Sequence, residues 1–169
     1  IREPQIKHVS QLIGEHTRIF LYGFGSSGLA AQEFQLRLLR LGMDAEAITE
    51  LHQMVLNEAR ITNACLVIGI SLSGATRELI DALDRAKARG AAVIYLTSSN
   101  AEREKRTYEE IVLAPVKKNL EYGNVISPQF PILLILDLIY AQLLKEDRRS
   151  TEAQYDTHIW ERIKDYHVG

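Results

Sequence analysis

The stretch Cys65-Leu-Val-Ile-Gly-Ile-Ser-Leu-Ser-Gly-Ala-Thr76 decides the fold, because it joins a strand signal, a turn signal and a helix signal. The apolar run at 65–70 is typical of a buried strand. The turn that follows carries three hydroxyl residues around a glycine, namely Ser71, Ser73, Gly74 and Thr76. A helical pattern begins directly after it and ends before Gly90. A strand that runs through such a turn into a helix predicts a βαβ unit.

The turn at 71–76 also predicts an anion-binding site. The first N–H groups of a helix have no internal partners, and the helix dipole favours negative charge there. Each charge-assisted hydrogen bond to a phosphate oxygen contributes about 1.5–3 kcal/mol. One hydroxyl would suffice to cap the helix, so three hydroxyls favour a ligand. No Lys or Arg lies inside the turn, which excludes a Walker A loop and favours a metal-free phosphate monoester.

Helix and strand signals alternate along the rest of the chain. Strands are predicted at 18–22, 44–48, 65–70, 92–97 and 110–114. Helices are predicted at 4–15, 27–41, 52–59, 76–89, 101–106, 128–145 and 151–166, with a loop at 115–126. This order predicts an α/β fold, a three-layer sandwich around a five-stranded parallel sheet. Ligands of such sheets bind where strands end at their carboxyl edge, which is where the hydroxyl loops fall.

Composition predicts one ordinary domain. The chain has 169 residues, of which 46% are hydrophobic and 25% charged, with a net charge of −2. This length supports a core without disulfides or metals. The single cysteine, Cys65, excludes an internal disulfide framework and favours a reducing compartment, the cytoplasm. Mild acidity argues against a nucleic-acid-binding face in this chain. The first residue is Ile1 rather than Met, which predicts a fragment or a processed product.

A second glycine-rich loop leaves an alternative open. Gly23-Phe24-Gly25-Ser26-Ser27-Gly28 is a G-x-G-x-x-G motif that follows a strand and opens a helix. Asp44 and Glu46 follow about 20 residues on, where a dinucleotide-binding fold places its ribose-binding acid. A dinucleotide needs only one such loop, whereas two hydroxyl-bearing loops can enclose one sugar phosphate. The second loop, at 71–76, therefore favours a phosphosugar over a dinucleotide.

Three segments together resemble the SIS (sugar isomerase) domain. They are Gly23-x-Gly25-Ser26-Ser27, Ser71-x-Ser73-Gly74-x-Thr76 and Tyr95-Leu-Thr-Ser98. Residues 36–44 and His52 resemble one branch, the C-terminal effector domain of RpiR/MurR-type transcription regulators. The resemblance covers nearly the whole chain. It implies a flavodoxin-like sheet, a homodimer or higher oligomer, and a phosphorylated sugar as ligand. DNA would be bound through an N-terminal helix-turn-helix domain outside this chain.

The resemblance implies a ligand site built from three loops. Its members are Gly25, Ser26, Ser27, Ser71, Ser73, Gly74, Thr76 and Ser98. The loop at 71–76 would hold the phosphate, and the loop at 25–27 would face the sugar, with Ser98 close by. Leu72 stands where some sugar-binding relatives have Gln, which removes a polar contact. His52, Glu121 and Ser127 are the remaining candidates.

The residues before the last long apolar run separate a sensor from an enzyme. Aldose–ketose isomerisation needs a base that moves a proton between adjacent carbons. Some SIS isomerases place a Glu near the start of this helix, where Ser127 stands here. Glu121 could reach inward from the loop, and His52 could close over a ligand. The absence of the usual acid favours a phosphosugar sensor without catalytic residues or cofactor, and a phosphosugar isomerase stays the alternative. No histidine, cysteine and carboxylate cluster has metal-ligand spacing, so no metal is predicted.

Overall fold

The computed structural model describes residues 2–72, 77–99, 107–114 and 129–151, the last four of these as backbone only. The strands are β1 (Arg18–Gly23), β2 (Ala45–Ile48), β3 (Cys65–Ser71), β4 (Ala92–Thr97) and β5 (Glu110–Leu113). The helices are α1 (Glu3–Glu15), α2 (Gly25–Arg40), α3 (Leu51–Asn57), α4 (Arg77–Ala88) and α5 (Phe130–Thr151). A short 3-10 turn, Glu58–Arg60, extends α3.

The five strands form one parallel sheet in the order β2-β1-β3-β4-β5. Every residue of β3 and β4 is buried, as expected for inner strands covered on both faces. The chain turns outward from β1 to β2 and then returns to the other side of β1 for β3. The strand order therefore reverses between β1 and β3, and their carboxyl ends flank the crevice in which ligands of such sheets bind. The predicted α/β fold is confirmed.

Helices cover both faces of the sheet. One hydrophobic core contains side chains of α1, α2 and α5 together with alternate residues of β1 and β3, such as Leu21 and Ile68. A second core contains side chains of α4 and the opposite residues of the same strands, such as Tyr22 and Val67, with Met54 of α3. Alternation of side chains along each strand divides them between the two cores. Cys65 is buried in the second core, as its apolar surroundings in the sequence indicate.

Predicted and observed element bounds differ in two instructive places. Helix α2 begins at Gly25 rather than Ser27, because the Phe24 carbonyl already accepts hydrogen bonds from the Ser27 and Gly28 N–H groups. The predicted end of the long helix near Lys145 is wrong, since α5 continues to Thr151. Residues 146–150 contain no Gly or Pro and are mostly charged helix formers, so nothing in them ends a helix. The helix predicted at 101–106, the loop at 115–126 and, from residue 152 onward, the helix predicted at 151–166 lie outside the described residues.

Candidate functional site

The turn between β1 and α2 explains the glycine motif by close packing. A Cβ on Gly23 would lie 2.8 Å from the backbone carbonyl carbon of Ser27. A Cβ on Gly28 would lie 2.9 Å from the Gly23 carbonyl oxygen and 3.0 Å from Cγ2 of Thr49. Gly25 has a positive φ of 53°, which favours glycine at this position of the turn. Each glycine of G-x-G-x-x-G therefore has a structural reason that needs no dinucleotide.

The acids that suggested a ribose contact are occupied elsewhere. Asp44 precedes β2 at the amino edge of the sheet, where its carboxylate accepts a hydrogen bond from Arg18 Nε at 2.9 Å. Glu46 lies within β2 and pairs with Arg60, with 2.8 Å between Oε2 and Nη1. A ribose-binding acid would stand at the carboxyl edge, beside the glycine turn. The expected placement of Asp44 and Glu46 for a dinucleotide is therefore wrong.

The amino end of α2 lies at the carboxyl edge of the sheet. Its N-cap is Phe24, whose side chain has no acceptor and makes no capping hydrogen bond. Gly25 and Ser26 are exposed in the first turn, and Ser27 N–H donates to the Phe24 carbonyl at 3.0 Å. The first N–H groups of a helix have no partner within it, and they carry the positive end of its dipole. This end of α2 suits an anion or an electron-rich oxygen.

Two serines hold one backbone unit at the end of β3. The Leu72 N–H donates to Ser27 Oγ at 3.2 Å, and Ser98 Oγ donates to the Leu72 carbonyl. Ser27 comes from the first turn of α2 and is buried, and Ser98 follows β4 and is half-buried. The ends of β1, β3 and β4 therefore meet around Leu72. The Leu72 side chain is partly buried and packs against the first hydrophobic core.

The other predicted residues fall into three groups. Ser71 is the last residue of β3, is 3% exposed and lies opposite Thr97 in register. His52 is exposed in the first turn of α3, at the same edge of the sheet, and within the described ranges no hydrogen bond joins it to the serines. Five predicted residues lie outside the described residues, namely Ser73, Gly74, Thr76, Glu121 and Ser127.

One polar cluster was missed by sequence reasoning. Glu110, at the start of β5, accepts a hydrogen bond from Gln5 Nε2 at 2.9 Å and lies 2.6 Å from His8 Nδ1. Gln5 also donates to the Ile111 carbonyl at 3.1 Å, so α1 is docked on the edge strand by polar side chains. These residues, with Arg2, Pro4 and Leu113, line a cavity of about 640 Å³. No local signal links α1 to residues so far along the chain.

Two searches of the described residues found nothing further. In the ranges given above, no three His, Cys, Asp or Glu side chains stand close enough together to hold a metal ion. Among the helices that the structure describes, none combines the length and apolarity needed to cross a membrane.

Comparison with known proteins gives the same fold and adds a family. The SIS domain family model matches residues 11–132. An HTH-type transcriptional regulator of Haemophilus influenzae is 31% identical over 141 residues, which are 83% of this chain and 49% of the relative. One of Clostridium perfringens is 32% identical over 137 residues, 80% of this chain and 48% of the relative. The chain thus spans about half the length of these relatives.

Solved structures share the fold at low sequence identity. The sugar isomerase domain of an RpiR transcription factor from Sphaerobacter thermophilus has a TM-score of 0.77 at 21% identity, covering 88% of this chain and 81% of that one. The Vibrio vulnificus NanR protein complexed with ManNAc-6P has a TM-score of 0.83 at 21% identity, and the match covers 100% of this chain and 63% of that one. Phosphoheptose isomerase GmhA from Neisseria gonorrhoeae has a TM-score of 0.71 at 18% identity, and the match covers 85% of this chain and 87% of that one. With the family model matched over most of its length, the chain belongs to the SIS domain family.

Proposed function

We propose that this chain is the phosphosugar-sensing effector domain of a bacterial RpiR-type transcription regulator. The observation that carries the proposal is the meeting of three strand ends around Leu72, beside the open amino end of α2. The names of the relatives support a regulator, and the unmatched half of their length leaves room for a helix-turn-helix domain. The NanR neighbour, complexed with ManNAc-6P, supports a phosphorylated sugar as the ligand class. We place such a regulator in the cytoplasm, where it can reach DNA.

The proposed ligand contacts divide between two loops. Ser71 and the residues that follow it, Ser73, Gly74 and Thr76, bind the phosphate through hydroxyl and backbone donors, because a fully ionised phosphate monoester offers only acceptors. The exposed first turn of α2, with Gly25 and Ser26, faces the sugar together with Ser27 and Ser98. Neither loop alone covers a hexose phosphate, so the ligand joins the ends of β1 and β3. No metal or cofactor enters this scheme.

We further propose that the protein is a homodimer or higher homo-oligomer. Large apolar side chains are exposed on adjacent helices of one layer, namely Leu29, Leu36 and Leu39 of α2 and Phe130, Leu134 and Leu138 of α5. Several large apolar side chains exposed on neighbouring helices are typical of protein–protein contacts. A ligand alters DNA binding only if it favours one arrangement of the two copies over the other. The site at the amino end of α2 is carried by one of the helices that form this apolar surface.

The second candidate is a phosphosugar isomerase. The likeness to phosphoheptose isomerase GmhA favours it at the level of the fold. Its base would be Glu121, which lies outside the described residues, or His52. Among the described residues, His52 makes no hydrogen bond or ion pair that would orient its ring for proton transfer. Turnover of hexose and amino-sugar phosphates by the purified chain separates this candidate from the sensor.

A thermal-shift panel tests the proposed function first. The panel contains ManNAc-6P, other sugar phosphates, the matching free sugars, inorganic phosphate and NAD. A ligand at 100 times its dissociation constant adds about 2.7 kcal/mol to the free energy of unfolding. We expect stabilisation by one sugar phosphate and none by its free sugar. Stabilisation by NAD alone would contradict the phosphosugar site and support a dinucleotide.

A further inference from the structure

The backbone of Leu72 is fixed on both sides by serines from neighbouring strand ends. β3 lies between β1 and β4 in the sheet. Ser27, after β1, receives the Leu72 N–H, and Ser98, after β4, donates to the Leu72 carbonyl. The two hydroxyls belong to residues 45 and 26 positions away along the chain. One residue of the central strand's loop is thereby tied to both adjacent loops.

Just beyond the last paired residues of β3, these two hydrogen bonds take the place of pairing between strands. The last pairing of β3 with β4 is Ser71 with Thr97, and its last pairing with β1 is Ile70 with Gly23. Leu72 therefore leaves the ladder with one N–H and one carbonyl that need partners. Serine hydroxyls supply both, and the Leu72 side chain packs against the core. Leu72 itself is therefore fixed at three points, its N–H, its carbonyl and its side chain.

The chemistry assigns a role to each hydroxyl without ambiguity. A backbone N–H can only donate, so Ser27 Oγ accepts; a backbone carbonyl can only accept, so Ser98 Oγ donates. Ser27 is 6% exposed, and water competes poorly for a bond at a buried hydroxyl. Neither bond requires a bound ligand.

We propose that Ser27 and Ser98 are positioning residues, which act through Leu72 to hold the end of β3 in the conformation that receives a phosphosugar. The proposal rests on the proposed function for the identity of the ligand. It differs from the assignment of these serines as ligand contacts alone, because here they also hold the backbone of Leu72. Ser71, one residue before Leu72 and 3% exposed, is the last residue of the strand whose end they hold. Holding Leu72 in place before binding spares the ligand part of the ordering cost of binding.

The first experiment needs no ligand. Amide hydrogen exchange of Leu72 is measured by NMR in the wild-type protein and in Ser27→Ala, Ser98→Ala and Ser98→Thr. Loss of the Ser27 acceptor should speed exchange at Leu72 by about tenfold, with the amide of Ile68 in β3 unchanged as a check on the fold. Ser98→Ala should speed it less, and Ser98→Thr should restore the wild-type rate. Wild-type exchange at Leu72 in both alanine variants would overturn the proposal.

The second experiment asks whether the hydrogen bonds of Ser27 and Ser98 to Leu72 affect ligand binding. ManNAc-6P, or the sugar phosphate that stabilises the wild-type protein in the thermal-shift panel, is titrated calorimetrically into the same variants and into Thr17→Ala. Thr17 is exposed at the amino edge of the sheet, so this variant should keep the wild-type affinity. Affinity should fall about tenfold in Ser98→Ala, in step with exchange at Leu72, and return in Ser98→Thr. Faster exchange with unchanged affinity would overturn the positioning role. If no sugar phosphate binds the wild-type protein, the proposed function fails, while the exchange rates still decide whether the serines hold Leu72.

Discussion

Arg37 of α2 forms an ion pair with Asp137 of α5, with 2.7 Å between Nη1 and Oδ1. The same guanidinium lies over the Tyr140 ring, 5.1 Å from its centroid, and its Nε donates to Glu33 at 3.0 Å. Burial would lower the pKa of Arg37, but the carboxylates of Glu33 and Asp137 outweigh it and raise that pKa, so the charge is kept. The helix whose first turn borders the candidate site is thus joined to α5 by a half-buried cation.

Replacing Arg37 should loosen this contact between helices. Arg37→Ala should lower the free energy of unfolding by about 1–2 kcal/mol, the sum of a partly exposed ion pair and a cation–π contact. Arg37→Lys should recover less than half of the loss, because lysine lacks the planar fork that contacts two carboxylates and a ring. Urea unfolding measures both. Arg77→Ala is the control, since the Arg77 side chain is 91% exposed, and a loss there equal to that at Arg37 would contradict the assignment.

Two glycine-to-alanine variants should change stability in opposite directions. Gly28→Ala should destabilise by about 1–3 kcal/mol, because its Cβ would meet the Gly23 carbonyl and Thr49, and backbone must shift. Gly14→Ala should stabilise by about 0.5–1 kcal/mol, since nothing lies within 4 Å of its Cβ and alanine favours the α1 helix. Thermal unfolding of the two variants compares them directly. A stable Gly28→Ala protein would show that the β1–α2 turn is not tightly packed.

Glu109 should give the protein an acid-sensitive contribution to stability. Burial would raise its pKa, but hydrogen bonds from the Lys87 ammonium and from the Val93 N–H, the latter at 2.6 Å, lower it below the ordinary 4.5. A carboxylate with a lowered folded pKa stabilises above the unfolded value, and this contribution is lost as pH falls through the folded pKa. The stability difference between wild type and Glu109→Gln should be constant above about pH 5.5 and shrink below pH 4.5. A difference that grew on acidification would contradict the lowered pKa.

The exposed leucines of α2 should govern association. Leu36→Glu should convert the proposed dimer to monomer, because a charge would have to enter an apolar contact. Leu56→Glu is the matched control, since Leu56 is equally exposed but lies on α3, on the opposite face of the sheet. Light scattering after gel filtration gives the mass of each protein. A monomeric wild type, or a dimer in both variants, would count against this surface.

Removing one side chain that contacts the phosphate should weaken ligand binding and leave folding intact. Ser73→Ala should lower the affinity for the stabilising sugar phosphate by tenfold or more, since a charge-assisted hydrogen bond contributes about 1.5–3 kcal/mol. Calorimetric titration measures the affinity, and thermal unfolding without ligand checks the fold. Thr17→Ala serves again as the control at the far edge of the sheet. Unchanged affinity in Ser73→Ala would remove this residue from the site.

The fold followed from local pattern because each element signals its own type. Apolar runs of strand length separated by helical stretches give five parallel strands, and most observed bounds lie within two residues of those predicted. The extension of α5 to Thr151 was missed because a change from apolar to charged residues resembles a helix end, although charged residues continue a helix well. Asp44 was misplaced because spacing along the sequence does not say at which edge of the sheet a residue lies.

The candidate site was predictable as a meeting of loops but not as a set of bonds. Hydroxyl residues after β1, β3 and β4 can be found from motifs alone. Ser27 and Ser98 can both form hydrogen bonds with Leu72 because β3 lies between β1 and β4. This strand order cannot be found from any local pattern in the sequence. The cluster of Gln5, His8 and Glu110 was invisible for the same reason, since it joins the first helix to the last strand.

The hydrogen bond from Ser98 to Leu72 also limits which group of a ligand can contact Ser98. A serine hydroxyl has one proton, and that of Ser98 is committed to the Leu72 carbonyl. A fully ionised phosphate has only lone pairs, so it would face the lone pairs of Ser98 without a proton between them. A sugar hydroxyl or an amide N–H has a proton to give. If the proposed phosphosugar meets Ser98, it should therefore do so through a hydroxyl or amide group, with its phosphate away from β4.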